Sequence, residues 1–371
     1  MTADSEFEIY LVASPGHEQV LCDEVMARGF RNPKVISGGV AFMGRWPDVW
    51  RANLEIRGTA RVLARIGAIR VMHLAQLDKR ARKFPWGEYL RKDIPVSVEA
   101  KCTRSRIYHG GAAAQRIATA IREEFGGTVS AEAEVAIKAR IEDDLCTISI
   151  DSSGEGLHKR GHRQAIGKAP IRETLAANFL RQCGYDGKEP VVDPMCGSGT
   201  FVIEAAEMAA GLNPGRSRQF AFEQLASFNA SAWQAMRDAP PKPNAAQRFF
   251  GSDRDAGAIV MSNDNARRAG VTAFTEFKQQ PISELLPPDG TPGLIMVNPP
   301  YGTRIGNKSE LAALYAALGK VLVTRFSGWR IGLVTTEVPL AKATGLPFLP
   351  HGRAVSHGGL KVFLFQTRSL K

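Results

Sequence analysis

The sequence predicts an α/β protein: a doubly wound, mainly parallel sheet over residues 170–371, preceded by two smaller α/β units. Three observations carry that expectation. From Pro170 onward, segments of strand and helix character alternate along the chain, as a doubly wound sheet requires. Two short, wholly apolar runs, Val191-Val192 and Leu294-Ile295-Met296-Val297, each open into a loop of unusual composition. The first 150 residues instead mix strands and helices in two short blocks. Their boundaries are placed at residues 1–58 and 59–152, with a basic connector over 153–169.

In the first block, residues 7–13 read as a strand, and Ser14-Pro15-Gly16 turns into a helix over 17–28. There Val20, Leu21, Val25 and Met26 recur at helical spacing. Gly38-Gly39 breaks the chain before a short strand, Val40–Phe42. In the second block, 61–71 carries alternating apolar and basic positions, and 95–100 and 146–150 alternate with period two and read as strands. Residues 112–125 between them form an amphipathic helix. The connector is rich in glycine and in Lys159, Arg160, Arg163 and Lys168. Beyond it the order is helix 171–182, strand 190–192, helix 200–210, strand 249–252 and helix 256–269. Strand 293–297, helix 310–323, strand 330–335 and a closing strand 361–367 complete the chain. The Pro-rich run 239–243 is a solvated insertion.

Apolar residues make up 44% of 371, enough for real cores in two or three domains. No apolar run approaches the roughly 20 residues of a membrane span, and the polar start Met1–Glu6 does not read as a signal peptide. Cys22, Cys102, Cys146, Cys183 and Cys196 include no Cys-x-x-Cys pair. That argues against a zinc site or a disulfide framework and for a reducing cytoplasm, and no metal is expected. The net charge is +11; residues 61–170 hold 20 Lys/Arg against 13 Asp/Glu, so +7 of it lies before the glycine loop. A polyanionic partner fits that distribution. No feature bears on oligomeric state.

The first special loop is Asp193-Pro194-Met195-Cys196-Gly197-Ser198-Gly199-Thr200. Glycines let a backbone approach a ligand closely, and the following helix N-terminus presents free N–H groups. The spacing is not Gly-x-Gly-x-x-Gly and no Gly-Lys-Ser/Thr follows, which disfavours pyrophosphate. One strand later Asp253 stands at a strand end, where a carboxylate can accept ribose hydroxyls. A plain strand-to-helix turn with a capping Asp is the bland alternative. The second loop, Asn298-Pro299-Pro300-Tyr301, cannot donate backbone N–H groups at its two prolines and is stiff in φ. It presents acceptors, the Asn298 side-chain oxygen and the Pro299 carbonyl, which can hold both hydrogens of an amino group and aim its lone pair at an electrophile. Tyr301 can stack on a base brought out of its own stack. A structural proline turn is the alternative here.

These residues resemble the S-adenosylmethionine-dependent methyltransferases of the class I fold, in their amino-methylating branch. With Leu157-His158-Lys159-Arg160-Gly161-His162-Arg163, Ala169-Pro170-Ile171-Arg172-Glu173-Thr174 and Asn298-Pro299-Pro300-Tyr301-Gly302-Thr303-Arg304-Ile305-Gly306, the chain is similar to the THUMP-domain-containing RNA guanine-N2 methyltransferases. Gly38–Phe42, Asn53–Arg57 and Arg61–Leu63 extend the similarity to the family's ferredoxin-like and THUMP segments. The resemblance implies a Rossmann-like, seven-stranded catalytic sheet over 170–371 with its last strand antiparallel. It implies S-adenosyl-L-methionine as cofactor and RNA as partner, with no membrane. Asp193, Gly197 and Gly199, with Pro194, Cys196 and Thr200 in the same loop, would lie along the methionine part and Asp253 on the ribose. Pro170 and Thr174 would belong to the helix that closes over the cofactor. Asn298 and Tyr301 would hold the base, with Pro299 and Pro300 shaping the catalytic loop. Where the family often has an Asp for the adenine amine, this chain reads Gln279-Gln280-Pro281, so a backbone carbonyl or Gln280 takes that place.

Among the basic residues, Lys101, Arg104 and Arg106, beside Tyr108 and His109, suit an RNA strand. Lys159, Arg160 and Arg163 precede the cofactor fold and are expected on RNA, and Arg304 on the phosphate of the target nucleotide. Each has a solvated-surface alternative. The expected activity is methyl transfer to the N2 amine of a guanosine, in 23S rRNA first and tRNA second. DNA adenine-N6 or cytosine-N4 and protein-glutamine enzymes share the Asn-Pro-Pro-Tyr type of loop, and a non-catalytic RNA-binding factor is the alternative of another class.

Overall fold

The structure is a computed structural model that describes residues 5–164, 171–241, 243, 247–301, 308–357 and 359–371. Pro170 and Arg304 lie outside the described residues. The chain divides into two compact units, the first comprising residues 1–13, 21–157 and 218–239, the second residues 14–20, 158–217 and 240–371.

The first unit is built on seven strands: β1 (Phe7–Val12), β2 (Lys34–Ile36), β3 (Gly39–Gly44), β4 (Arg61–Arg70), β5 (Val96–Thr103), β6 (Val135–Glu142) and β7 (Leu145–Asp151). Their order is β2-β3-β1-β4-β7-β6-β5, and only the β5–β6 pair is parallel. The two small blocks expected from the sequence therefore share one sheet, with β4 as the seam between β1 and β7. Helices α1 (Glu18–Ala27), α2 (Trp46–Glu55), α3 (Leu74–Arg82) and α4 (Gly110–Ala120) accompany it. Leu21, Val25, Val49, Leu54, Leu77 and Ile117 from these helices share one core with Ile9, Val62, Ile137 and Ile148 from the strands. Period-two burial along β4 and β6 leaves the other sides of those strands, Arg65 and Arg140 included, at least partly open.

The second unit starts with α5 (Glu173–Gln182), β8 (Val191–Asp193) and α6 (Thr200–Ala209). The chain then makes an excursion into the first unit through residues 218–239, which include α7 (Ala230–Arg237). There Phe222 stacks with Trp50 of α2 at 6.1 Å and meets Trp233 edge-on at 5.0 Å. The sequence reading, which expected this stretch to continue the doubly wound pattern, had no sign of that return. The second unit resumes with β9 (Phe249–Asp253), α8 (Ala256–Ala269), β10 (Thr275–Gln279), β11 (Leu294–Val297), α9 (Lys308–Arg325), β12 (Arg330–Thr335), α10 (Val338–Ala343), β13 (Val355–His357) and β14 (Leu360–Gln366).

Its sheet order is β10-β9-β8-β11-β12-β14-β13. The first five strands are parallel, and β14 runs antiparallel to both β12 and β13. Central strands are buried on both faces and so read as continuous apolar runs. Val191, Leu294 and Met296 face one core, and Val192, Ile295 and Val297 face the other. The order reverses at β8, from which the chain passes to β9 on one side while β11 lies on the other. Ligands of such sheets bind at the carboxyl ends of strands at that point. In register, Asp193 pairs with Gly251 and Val192 with Ile295. The loops after β8, β9 and β11 therefore emerge at one edge.

Candidate active site

The glycine loop is held by hydrogen bonds from both neighbouring elements. The Cys196 N–H donates to the Ser252 carbonyl of β9 at 2.9 Å, and the Gly199 N–H donates back to the Cys196 carbonyl at 2.8 Å. Gly197 and Gly199 have φ of +54° and +81°, the left-handed region that favours glycine. A Cβ on Gly197 would meet no atom within 4 Å, so the loop faces open space there, whereas one on Gly199 would press on the Ser262 hydroxyl at 3.1 Å. Thr200, buried, opens α6.

Asp193 is 2% exposed, and its Oδ1 accepts the Met195 N–H at 3.1 Å. Burial pushes its carboxyl well above the usual carboxylate range against that hydrogen bond, and the charge of Asp253 adds to the shift. Asp253 holds two backbone groups, the Gly197 N–H at 3.0 Å and the Asp255 N–H at 3.0 Å. Its own carbonyl accepts the Gln280 N–H at 3.0 Å, which places Gln280 beside the β9 end. Gln280 also lines a cavity of about 180 Å³ with Val192, Phe250, Ser252, Leu285 and Leu286. Pro194 is buried in the loop, and Thr174 is buried on the first turn of α5. Cys196 is buried with its Sγ 3.7 Å from the Ser262 hydroxyl, and burial drives its thiol well above the ordinary range, so it is not a thiolate.

Two residues that the sequence reading passed over support this loop. On α8, the Ser262 hydroxyl donates to the Gly197 carbonyl at 2.8 Å and the Asn265 amide to the Ser198 carbonyl at 3.1 Å. Both are fully buried. The available signal was polar residues three apart on the buried face of an amphipathic helix.

At the end of β11 the Asn298 Oδ1 is buried and accepts no hydrogen bond among the described residues. Pro299 is buried, Pro300 half-buried. Tyr301 packs its half-buried ring against the cores on both faces of the sheet, and burial pushes its phenol up. An acceptor left buried without a donor is costly, and a ligand that supplies the donor would relieve that cost.

The basic residues separate into two groups. In the first unit, Lys101 lies on β5 and is exposed; Arg104 and Arg106 are 65% and 67% exposed, and Tyr108 is 86% exposed. Arg104 donates to Glu142 at 2.8 Å and to Asp143 at 3.2 Å. The open sheet face forms a groove of about 850 Å³ whose walls include Arg65, Arg70, Lys101, Arg104, Lys138 and Arg140 against the carboxylates of Glu99, Glu142 and Asp143. In the second unit Lys159 is exposed, but Arg160 and Arg163 are not. Arg160, with 1% of its side chain exposed, pairs with Glu204 of α6 at 3.0 Å. Arg163, 8% exposed, pairs with Glu173 of α5 at 2.8 Å. The expectation that these two contact RNA is corrected: their guanidinium groups are spent inside the protein.

A parallel five-stranded core, two flanking antiparallel strands and a glycine loop at the reversal of strand order define a class I methyltransferase fold. Within that class the chain belongs to the family of the RMKL-like methyltransferase domain, whose model matches residues 160–347. The RlmL ferredoxin-like domain model matches residues 8–63 and the THUMP domain model residues 73–151. The chain is 34% identical over 363 residues to the ribosomal RNA large subunit methyltransferase K/L of Syntrophotalea carbinolica, covering 92% of this chain and 51% of that protein. It is 32% identical over 352 residues to the protein of that name from Psychromonas ingrahamii, covering 91% and 47%. The chain thus spans about half the length of the curated relatives it matches. Among solved structures it is similar to a possible methylase from Clostridium difficile 630, with a TM-score of 0.88 and 27% identity over 99% of both chains. It is similar also to SMU.472, a protein classed as a methyltransferase and complexed with SAH, with a TM-score of 0.87 and 25% identity over 99% of both chains.

Proposed function

We propose that this chain is an S-adenosylmethionine-dependent RNA methyltransferase that modifies the N2 amine of a guanosine, in large-subunit ribosomal RNA. The observation that carries this reading is the buried Asn298 Oδ1, without a hydrogen-bond partner among the described residues, at the same sheet edge as the glycine loop. An exocyclic amino group is the donor that fits it. The Asn298 Oδ1 and the Pro299 carbonyl accept the two N–H bonds, which orients the nitrogen lone pair and draws it out of conjugation with the ring. When bound, S-adenosylmethionine supplies a methyl group made electrophilic by its positive sulfur.

The residues of the loop fit that group. The open space in front of Gly197 leaves room for it, Asp193 offers a buried carboxyl to a cationic amine, and Asp253 offers acceptors to hydroxyls. Pro194, Cys196, Gly199, Thr200 and Thr174 shape the cradle, Gln280 faces the adenine, and Tyr301 stacks on the base. The nitrogen loses a proton to solvent once the new N–C bond has formed; no cysteine is needed, in keeping with the raised Cys196 thiol. Lys101, Arg104, Arg106 and Lys159 bind RNA phosphates, with the basic groove of the first unit as the main surface. The sequence boundaries 1–58, 59–152 and 170–371 are kept as the proposed domains, apart from residues 218–239, which pack with the first unit, and residues 158–164 of the connector, which belong to the second. All five cysteines are free, in keeping with a cytoplasmic setting. The relatives' name, ribosomal RNA large subunit methyltransferase K/L, supports ribosomal RNA as substrate.

The test is nucleoside mass spectrometry of rRNA and tRNA fractions after incubation with the protein and labelled S-adenosylmethionine. Label in N2-methylguanosine of the large-subunit rRNA is expected. Label in tRNA moves the substrate, and label in N6-methyladenosine overturns the guanine assignment.

A further inference from the structure

Within His158–Arg163, Arg160 and Arg163 spend their charges inside the second unit, and stability does not account for that. Arg160 pairs with Glu204, one helical turn beyond Thr200. Arg163 donates to Glu173 at 2.8 Å and to the Ile171 carbonyl at 2.9 Å, next to Thr174. Between them, the His162 Nε2 lies 3.5 Å from Glu207 of α6. Buried ion pairs are poor stabilisers, because desolvation consumes most of the attraction and apolar replacements often do as well. Arg163 even leaves Nε and Nη2 buried without a hydrogen-bond partner among the described residues. What these pairs do supply is direction and registry.

A second line of contacts runs from the same segment to the glycine loop. The Arg268 Nε of α8 donates to the His162 carbonyl at 2.8 Å. Its Nη2 donates to the Asn265 Oδ1, and the Asn265 amide donates on to the Ser198 carbonyl at 3.1 Å. By accepting from Arg268, Asn265 Oδ1 leaves the amide nitrogen facing Ser198, so the guanidinium sets which end of the amide meets the loop.

We infer that Arg268 and Arg160 are positioning residues for the cofactor loop: the His158–Arg163 segment braces the glycine loop, through Arg268 and Asn265 on one side and through Glu204 of α6 on the other. This rests on the reading of that loop as the S-adenosylmethionine site. It gives the segment a role different from RNA contact. The Gly197 and Ser198 carbonyls are fixed from α8, which holds the path of the loop past Asp193, and the brace acts on cofactor affinity.

The experiment measures S-adenosylhomocysteine affinity by calorimetry, RNA affinity by filter binding, and KM against kcat, for Arg268→Met, Arg268→Lys and the pair Arg160→Met with Glu204→Leu. The paired variant replaces both charges together, so no lone buried charge is created, and a melting curve for each protein reports folding. The expected result is a loss of about tenfold in cofactor affinity and a raised KM for cofactor in Arg268→Met, the scale of one misdirected hydrogen bond. Partial recovery is expected in Arg268→Lys, with kcat and RNA affinity within about twofold of wild type. Reduced RNA affinity with unchanged cofactor affinity overturns the proposal in favour of RNA contact. Unchanged affinity for both ligands in folded Arg268→Met overturns it in favour of a filler role. If the paired variant does not fold, Arg268→Met alone decides. A wild-type protein that binds no S-adenosylhomocysteine at all refutes the underlying reading of the loop instead, an outcome separate from any variant's.

Discussion

Both units carry a seven-stranded sheet and a set of arginines near acidic side chains, yet they use those arginines differently. On the first sheet, Arg104 and Arg106 are about two-thirds exposed and their ion pairs stand in water. Such pairs contribute little to stability. In the second unit, Arg160 and Glu204 are each 1% exposed, and no polyanion reaches them without taking the fold apart. The same residue type is therefore open to a partner in one unit and held inside the protein in the other. Burial decides which, and sequence composition does not.

The largest expected effect lies in the second unit, where the buried Asn298 acceptor has no donor among the described residues. Asn298→Ala is expected to lower kcat by about a hundredfold or more while leaving S-adenosylhomocysteine affinity within about twofold, because the acceptor acts on the amine in the transition state. Single-turnover kinetics with calorimetry separate the two quantities. A variant that retains kcat sinks the assignment of Asn298 to the amine.

Asp193 tests whether burial in this unit is kept for a ligand at the expense of stability. Its folded carboxyl sits above the unfolded value of about 3.9, so between those two pKa values the folded state binds more protons than the unfolded one. Stability from this group therefore falls as pH rises through that window, and the loss stays constant above it. Asp193→Asn is expected to raise the melting temperature of the ligand-free protein at pH 8. A gain of about 1–3 kcal/mol corresponds to roughly 2–4 °C for each kcal/mol, and the difference should close near pH 4. The same variant should weaken cofactor binding by about tenfold or more. In the wild type, cofactor affinity should rise with pH as Asp193 ionises. A lower melting temperature in the variant contradicts the burial argument.

How legible this was follows the same division. The β8 and β11 loops could be read because a wholly apolar run ending in a rigid or glycine-rich loop has few other structural meanings. β6 was missed although Val135–Glu142 alternates, and β10, an edge strand of Thr-Glu-Phe-Lys-Gln, buries too little to show a pattern. The burial of Arg160 and Arg163 left no local mark, since Glu204 lies 44 residues and Glu173 ten residues away, each on a helix of its own. The excursion over 218–239 was hidden for a similar reason: its Phe220, Phe222 and Trp233 look like any core aromatics, and only the fold says which core they join. Local pattern reports which residues are buried and what a loop can present; pairing across distance sets what a charge is for.

The smallest expected effects come from the first unit and sharpen the contrast within its own surface. Lys101 lines the basic groove and is exposed, while Arg104 lines it with its guanidinium shared between Glu142 and Asp143. A phosphate contacted by Lys101 replaces water, whereas one contacted by Arg104 must displace two carboxylates. Lys101→Ala is expected to weaken RNA binding several-fold and to reduce the slope of log K against log salt by about one contact's share. Arg104→Ala should change both by less, and Asp143→Asn, which removes one of the two carboxylates on that guanidinium, should strengthen binding slightly. Filter binding across a salt series measures all three. Equal losses for Lys101→Ala and Arg104→Ala, with no gain from Asp143→Asn, indicate that the carboxylates do not compete with RNA and that the exposed pairs of the first sheet are, for binding purposes, already open.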